Sequence, residues 1–165
     1  MNNAHPLKLA LILLTSIFLS SCDPPEAKIV KRPVIHNAPA VQGDGVDQLI
    51  AMMNSVRKAE NKPILTKSRR LTAAAREHSL SMSQNNFFSH KGLDGNTFRT
   101  RTLKNGYHRT FSAENLAKTN HPSRALKLWQ DSPVHHKNMM NKTYDRVGIS
   151  RVGNYWTAIF AADDR

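Results

Sequence analysis

Cys22 is the only cysteine among 165 residues. No disulfide can form within the chain, so the fold has to rest on an apolar core. A catalytic thiol in the folded domain is excluded as well. There is no internal repeat, and no HExxH, GxSxG or P-loop motif. Basic residues are not interleaved with aromatics, and no zinc-finger or RNA-recognition pattern is present, so nucleic acid is not an expected partner. Acidic residues are scarce: 12 Asp and Glu stand against 24 Lys and Arg, for a formal charge of +12 and a pI of about 10.3. That imbalance favours anionic partners such as phospholipid head groups or acidic polymers, and it equally suits a basic, well-solvated surface. A hydrophobic fraction of 39% with 22% charged residues is ordinary for a soluble globular domain.

Long apolar runs are also missing, with one exception. LALILLTSIFL, residues 9–19, is too short to span a bilayer comfortably. It follows a polar start carrying Lys8 and ends in small residues, the layout of a secretory signal peptide. Leu19, Ser20, Ser21 and Cys22 resemble a bacterial lipobox. Cys22 is then either a free thiol removed with the signal or the site of a thioether-linked diacylglycerol. The second reading accounts for a lone cysteine in an exported chain. It predicts palmitate on the protein and attachment to a membrane through at least two acyl chains. Asp23 resembles an inner-membrane retention signal of enteric bacteria, and the outer membrane, facing the periplasm, stays open. The expected organisation is a signal peptide at 1–21, a lipidated N-terminus and proline-rich tether at 22–44, and one domain at 45–165.

Within that domain, VDQLIAMMNSVRKAE places Val46, Leu49, Ile50, Met53 and Val56 near one helical face. A second helix is expected over about 67–85, with Leu71, Ala74, Ala75, His78 and Met82 in step and His78 structural. KGLDGN reads as a loop. TFRTRTLKNG reads as a short basic helix stopped by Gly106, and FSAENLAK as an extended piece. HPSRALKLWQDS forms a helix with Ala125, Leu128 and Trp129 on one face. SPVHHKNMMN forms another, with Ser132 as N-cap and Pro133 first. DRVGISRV and NYWTAIFAA flank Gly153-Asn154, a hairpin signal. Helices followed by a terminal hairpin indicate an α+β layered domain.

The residues able to carry chemistry are His90, Glu114, Ser132, His135 and His136, on separate segments that local spacing does not unite. His36, His108 and His121 read as surface residues, and Tyr107 and Trp129 as core. His136 fits either a supporting position behind the site or solvent. Asn115 is expected to hold the loop after Glu114. Six ordered pieces then carry a resemblance: MNSVRKAENKPIL, LTAAAREHSLSM, NNFFSHKGLDGNTFRTR, GY with AENLA, LWQDSPVHHKNMMN, and DRVGIS with YWTAIFA. Over about residues 46–162 the chain resembles the CAP superfamily (the SCP-like domain), in its bacterial extracellular branch.

The resemblance implies an α-β-α sandwich with a C-terminal β-hairpin and a central cleft. The family's cleft is lined by two histidines and two acidic residues. His90, Glu114 and His135 match three of them. Ser132 stands at the second acidic position, as it commonly does in the bacterial branch. His90 is then a cleft residue, with a backbone-bonded core histidine as the alternative, and Phe87 and Phe88 are expected to anchor it by burial. Two imidazoles and a carboxylate form a zinc ligand set, and some family members bind divalent metal at this site. Three roles are therefore carried forward. The first is a lipid-anchored envelope protein whose cleft binds a small ligand or a divalent cation, non-catalytic in the favoured version. The second is a zinc-dependent, peptidase-like hydrolase using His90, Glu114 and His135. The third is a structural protein docking its basic surface on anionic lipid or envelope polymer.

Overall fold

The computed structural model describes residues 43–163, without the side chains of residues 43 and 44. The expected signal peptide, Cys22, most of the tether and His36 lie outside the described residues.

The first helix, α1 (Gly43–Ala59), buries Val46, Leu49 and Met53, with Ile50, Met52 and Val56 half-buried beside them. The chain leaves it through Asn61, whose φ of 54° is left-handed, and Pro63 prevents continuation. A short strand, β1 (Thr66–Lys67), precedes α2 (Arg69–Asn85). Ser68 caps α2 by accepting from the Leu71 N–H at 3.4 Å. Leu71, Ala74, Ala75, His78, Ser79 and Met82 form its buried stripe. Asn86 ends it in the left-handed region, with φ 49°.

The next helix, α3 (Phe98–Lys104), starts at a reciprocal cap between Thr97 and Thr100. FSAENLAK is a strand, β2 (Ser112–Lys118). Two helices follow, α4 (Pro122–Asp131) and α5 (Pro133–Met139), each with proline in its first turn. Strands β3 (Arg146–Val152) and β4 (Tyr155–Ala161) close the domain around Gly153, whose φ is 58°.

The sheet order is β1-β3-β4-β2, with β1 parallel to β3 and the other pairs antiparallel. The strand β4 is buried along its whole length, and its alternation divides the core. Trp156, Ala158 and Phe160 pack toward α1, α4 and α5. Tyr155, Ile159 and Ala161 pack toward α2. This is the expected α-β-α sandwich. The helix α2 lies so close to β3 that a Cβ on Gly148 would stand 2.1 Å from the Leu71 carbonyl carbon.

Three local expectations are corrected. On α4, Leu126 rather than Leu128 joins Ala125 and Trp129, and Leu128 is exposed. The spacing 122, 125, 126, 129 is the true helical stripe. Phe88 is 49% exposed, with one side of its ring tilted against Tyr155 at 6.4 Å, whereas Phe87 is half-buried, edge-on to His78 at 6.1 Å. Ser132 occupies the N-cap position of α5, yet its side chain makes no capping hydrogen bond.

Candidate ligand-binding cleft

The site is built around the N-terminal half of β2. Successive strand residues point to opposite faces. Glu114 shares a face with Leu116, which packs toward α2. Asn115 points to the other face, where its Nδ2 donates to the His135 carbonyl at 2.9 Å and its Oδ1 accepts from Asn138 at 3.0 Å. Asn115 therefore clamps α5 to the strand. It does not hold the loop after Glu114, as expected from sequence.

The Glu114 carboxylate is 1% exposed and has two partners. Arg101 Nη2 donates to Oε2 at 2.7 Å, and His90 Nδ1 lies 2.8 Å from Oε1. The Arg101 guanidinium is itself 3% exposed. It also donates to the Asn96 carbonyl at 3.1 Å and the His90 carbonyl at 3.3 Å. One buried cation thus neutralises the carboxylate and ties the His90 backbone to α3. A buried carboxylate needs such a partner. With Nδ1–H donating to Glu114, the neutral His90 ring keeps the Nε2 lone pair free, on a side chain that is 56% exposed.

His78 supports the same loop from beneath. It is 1% exposed, and its Nε2 lies 2.7 Å from the Ser89 carbonyl, where the N–H donates. Burial holds its pKa below the ordinary histidine value, aided by the charge of Arg101. His135 is likewise held low, chiefly by burial. A cleft of about 330 Å³ opens among His90, Phe98, Ser112, Glu114 and Asn138.

The structure thus joins His90 to Glu114 directly. His135 is tied to the neighbouring strand residue through its backbone, its carbonyl accepting from Asn115 Nδ2. Ser132 gives its carbonyl to the His136 N–H at 2.8 Å. His136 itself turns toward Glu60, 3.9 Å away, outside the cleft. His121 caps α4 by accepting from the Ser123 N–H. The three-ligand metal set His90, Glu114 and His135 is not assembled. Both Glu114 oxygens are engaged, and no three His, Cys, Asp or Glu side chains among the described residues converge on a metal position. The residues present do not fit zinc held by that set.

Two arginines were missed by sequence reasoning. Arg101 lies at i+3 from Phe98, next to buried Thr102. That spacing was a usable signal, because a cation on the apolar side of a helix requires a partner. Arg57, wholly buried, donates to the carbonyls of Pro63, Met139, Asn141 and Tyr144. It fastens α1 to the end of α5, and burial lowers its pKa.

With this geometry in hand, residues 50–160 match the model of the CAP cysteine-rich secretory protein family. The chain belongs to the CAP family. YkwD, an uncharacterized protein of Bacillus subtilis, is 26% identical over 116 residues, spanning 68% of this chain and 45% of YkwD. The CAP domain also superposes on an extracellular SCP-domain protein of Bacillus anthracis. That match has a TM-score of 0.68 and 26% identity, over 71% of this chain and 40% of the other. It shares its fold with an outer surface protein of Borrelia burgdorferi, at TM-score 0.66 and 22% identity over 73% and 93% of the two chains. The chain thus spans less than half the length of YkwD and of the Bacillus anthracis protein.

Proposed function

We infer that this CAP-domain protein is exported and lipid-anchored at Cys22. Its cleft serves as a binding module presenting His90 and His135 to a small ligand or chain segment. The observation that carries the reading is the buried Arg101–Glu114 pair. It fixes the His90 ring while leaving Nε2 open to the cleft. Pre-organisation of that kind favours binding by reducing the ordering cost. No activated nucleophile accompanies it, because Ser132 has no side-chain bond to either histidine among the described hydrogen bonds. Two relatives bear names that place them outside the cell or at its surface, and the lipobox of residues 19–22 agrees with export. Among the described residues no helix is long and apolar enough to cross a membrane.

Labelled palmitate should enter the wild-type protein and not a Cys22→Ala variant; equal labelling of both refutes the anchor. Isothermal titration of zinc, a ligand chosen to probe both histidines, should show no three-ligand site. Metal-dependent turnover of a peptide substrate that is lost in His90→Ala would replace the binding reading with a hydrolase.

A second reading has its own support. Residues 43–163 carry 19 Lys and Arg against 9 Asp and Glu, a surface suited to anionic lipid or envelope polymer. It requires binding to anionic vesicles that weakens steeply with salt and ignores His90→Ala.

A further inference from the structure

The strand β2 ends the sheet, with β4 on one side and, among the described residues, no strand on the other. In an antiparallel ladder, alternate residues bond to the partner strand and the intervening ones point away. Two contacts fix which are which. The Thr119 N–H donates to the Asn154 carbonyl at 2.7 Å, extending the β4 ladder through the odd-numbered residues. The Leu116 carbonyl accepts from the Trp129 indole at 2.9 Å, from the far side. Ser112, Glu114 and Leu116 therefore direct their N–H and C=O groups away from β4. Trp129 covers this free edge at Leu116. Further along, Ser112, Ala113 and Glu114 line the cleft itself. Among the described residues, no backbone hydrogen bond outside the β4 ladder involves residues 112–114.

Two further observations point to an occupant. The Ser112 hydroxyl is buried and has no hydrogen-bond partner. It also lies where the cleft meets a second depression of about 270 Å³, lined by Arg99, Thr110, Phe111 and Tyr144. There Arg99 holds the Thr110 carbonyl through Nη2 at 2.9 Å, and Phe111 is 73% exposed. A sheet edge without a partner strand that opens onto the cleft at residues 112–114, with a flanking cation and an aromatic ring, is suited to an extended peptide. Main-chain bonds would supply affinity and side chains selectivity.

We propose that the cleft binds an extended acidic peptide segment by strand addition along Ser112–Glu114, with a carboxylate facing Arg99 and an apolar side chain against Phe111. The proposal rests on the binding-module reading and names its ligand class. The charge balance of the domain favours an acidic partner over a basic one. His90 lines the same cleft as this edge.

The test uses the full-length protein, isotope-labelled and held in mild detergent. The probe is Ac-Thr-Glu-Val-Glu-Val-Thr-NH2, compared with a form N-methylated at every internal amide and with a form carrying Lys for Glu. The proposal expects saturable binding of the first peptide only. The Ser112 and Glu114 amides should shift and exchange with solvent about tenfold more slowly when it binds. Arg99→Glu, an exposed change, should weaken the acidic peptide by about tenfold or more and favour the Lys form. Equal binding of the N-methylated peptide, or no saturable binding of the acidic one, overturns strand addition. Shifts confined to the His90 and His135 rings also overturn it, while leaving the cleft as a binding site.

Discussion

Replacing Arg101 with methionine isolates the electrostatic core of the cleft. Methionine keeps most of the apolar stem and removes the guanidinium. The Glu114 carboxylate then loses its 2.7 Å partner while 1% exposed. The Asn96 and His90 carbonyls each lose a donor. Breaking a buried ion pair by removing one partner costs about 3–5 kcal/mol, because the remaining charge stays desolvated. For a domain of this size that corresponds to a melting-temperature drop of roughly 10–20 °C. Adding Glu114→Gln should recover a large part of the loss, since a neutral amide oxygen can still accept from His90 Nδ1–H. Urea unfolding at neutral pH of wild type, both single variants and the double variant gives the coupling term directly. Salt should change it little, because the pair is shielded from solvent. An Arg101→Met protein melting within about 3 °C of wild type, or four proteins with additive losses, would refute the reasoning.

Gly148→Ala should destabilise the domain by about 3 kcal/mol or more, seen in urea midpoints, because its Cβ meets the α2 backbone and not a yielding side chain. Arg57→Met leaves four carbonyls without their donor. Those kept dry cost about 1–3 kcal/mol each, so a total loss of at least about 3 kcal/mol is expected by thermal melting. His78 and His135 are both held neutral by burial, so the folded state binds fewer protons than the unfolded chain below the ordinary histidine pKa. Stability should be full above about pH 6.5 and fall as pH drops through and below that value. His78→Gln should flatten that fall in a pH series of denaturation curves.

The sheet-forming end of the chain was legible because its signals are local. The short apolar run in NYWTAIFAA and a Gly-Asn turn suffice to place a hairpin. The stripe of α2 was legible for the same reason, including buried His78. The strand β1 was not, because two residues carry no period; it exists only by pairing with β3. Leu128 was misplaced because a three-residue repeat and a four-residue repeat both fit so short a helix. The site was legible in its members and not in its connections. His90, Glu114 and His135 could be named one by one. The pairing of Glu114 with Arg101 depends on α3 packing across the end of β2, which no local pattern encodes. For the same reason the sequence suggested Glu114 as a metal ligand, whereas both its oxygens are engaged by neighbours.

The most direct test of the account is the protonation pattern of the His90 ring, read from long-range proton–nitrogen NMR spectra of the full-length protein at alkaline pH. The account predicts a proton on Nδ1, bonded to Glu114, with Nε2 bare and responsive to cleft ligands, and loss of that fixed tautomer in Glu114→Ala. A ring protonated on Nε2, or a tautomer indifferent to the loss of Glu114, would contradict it.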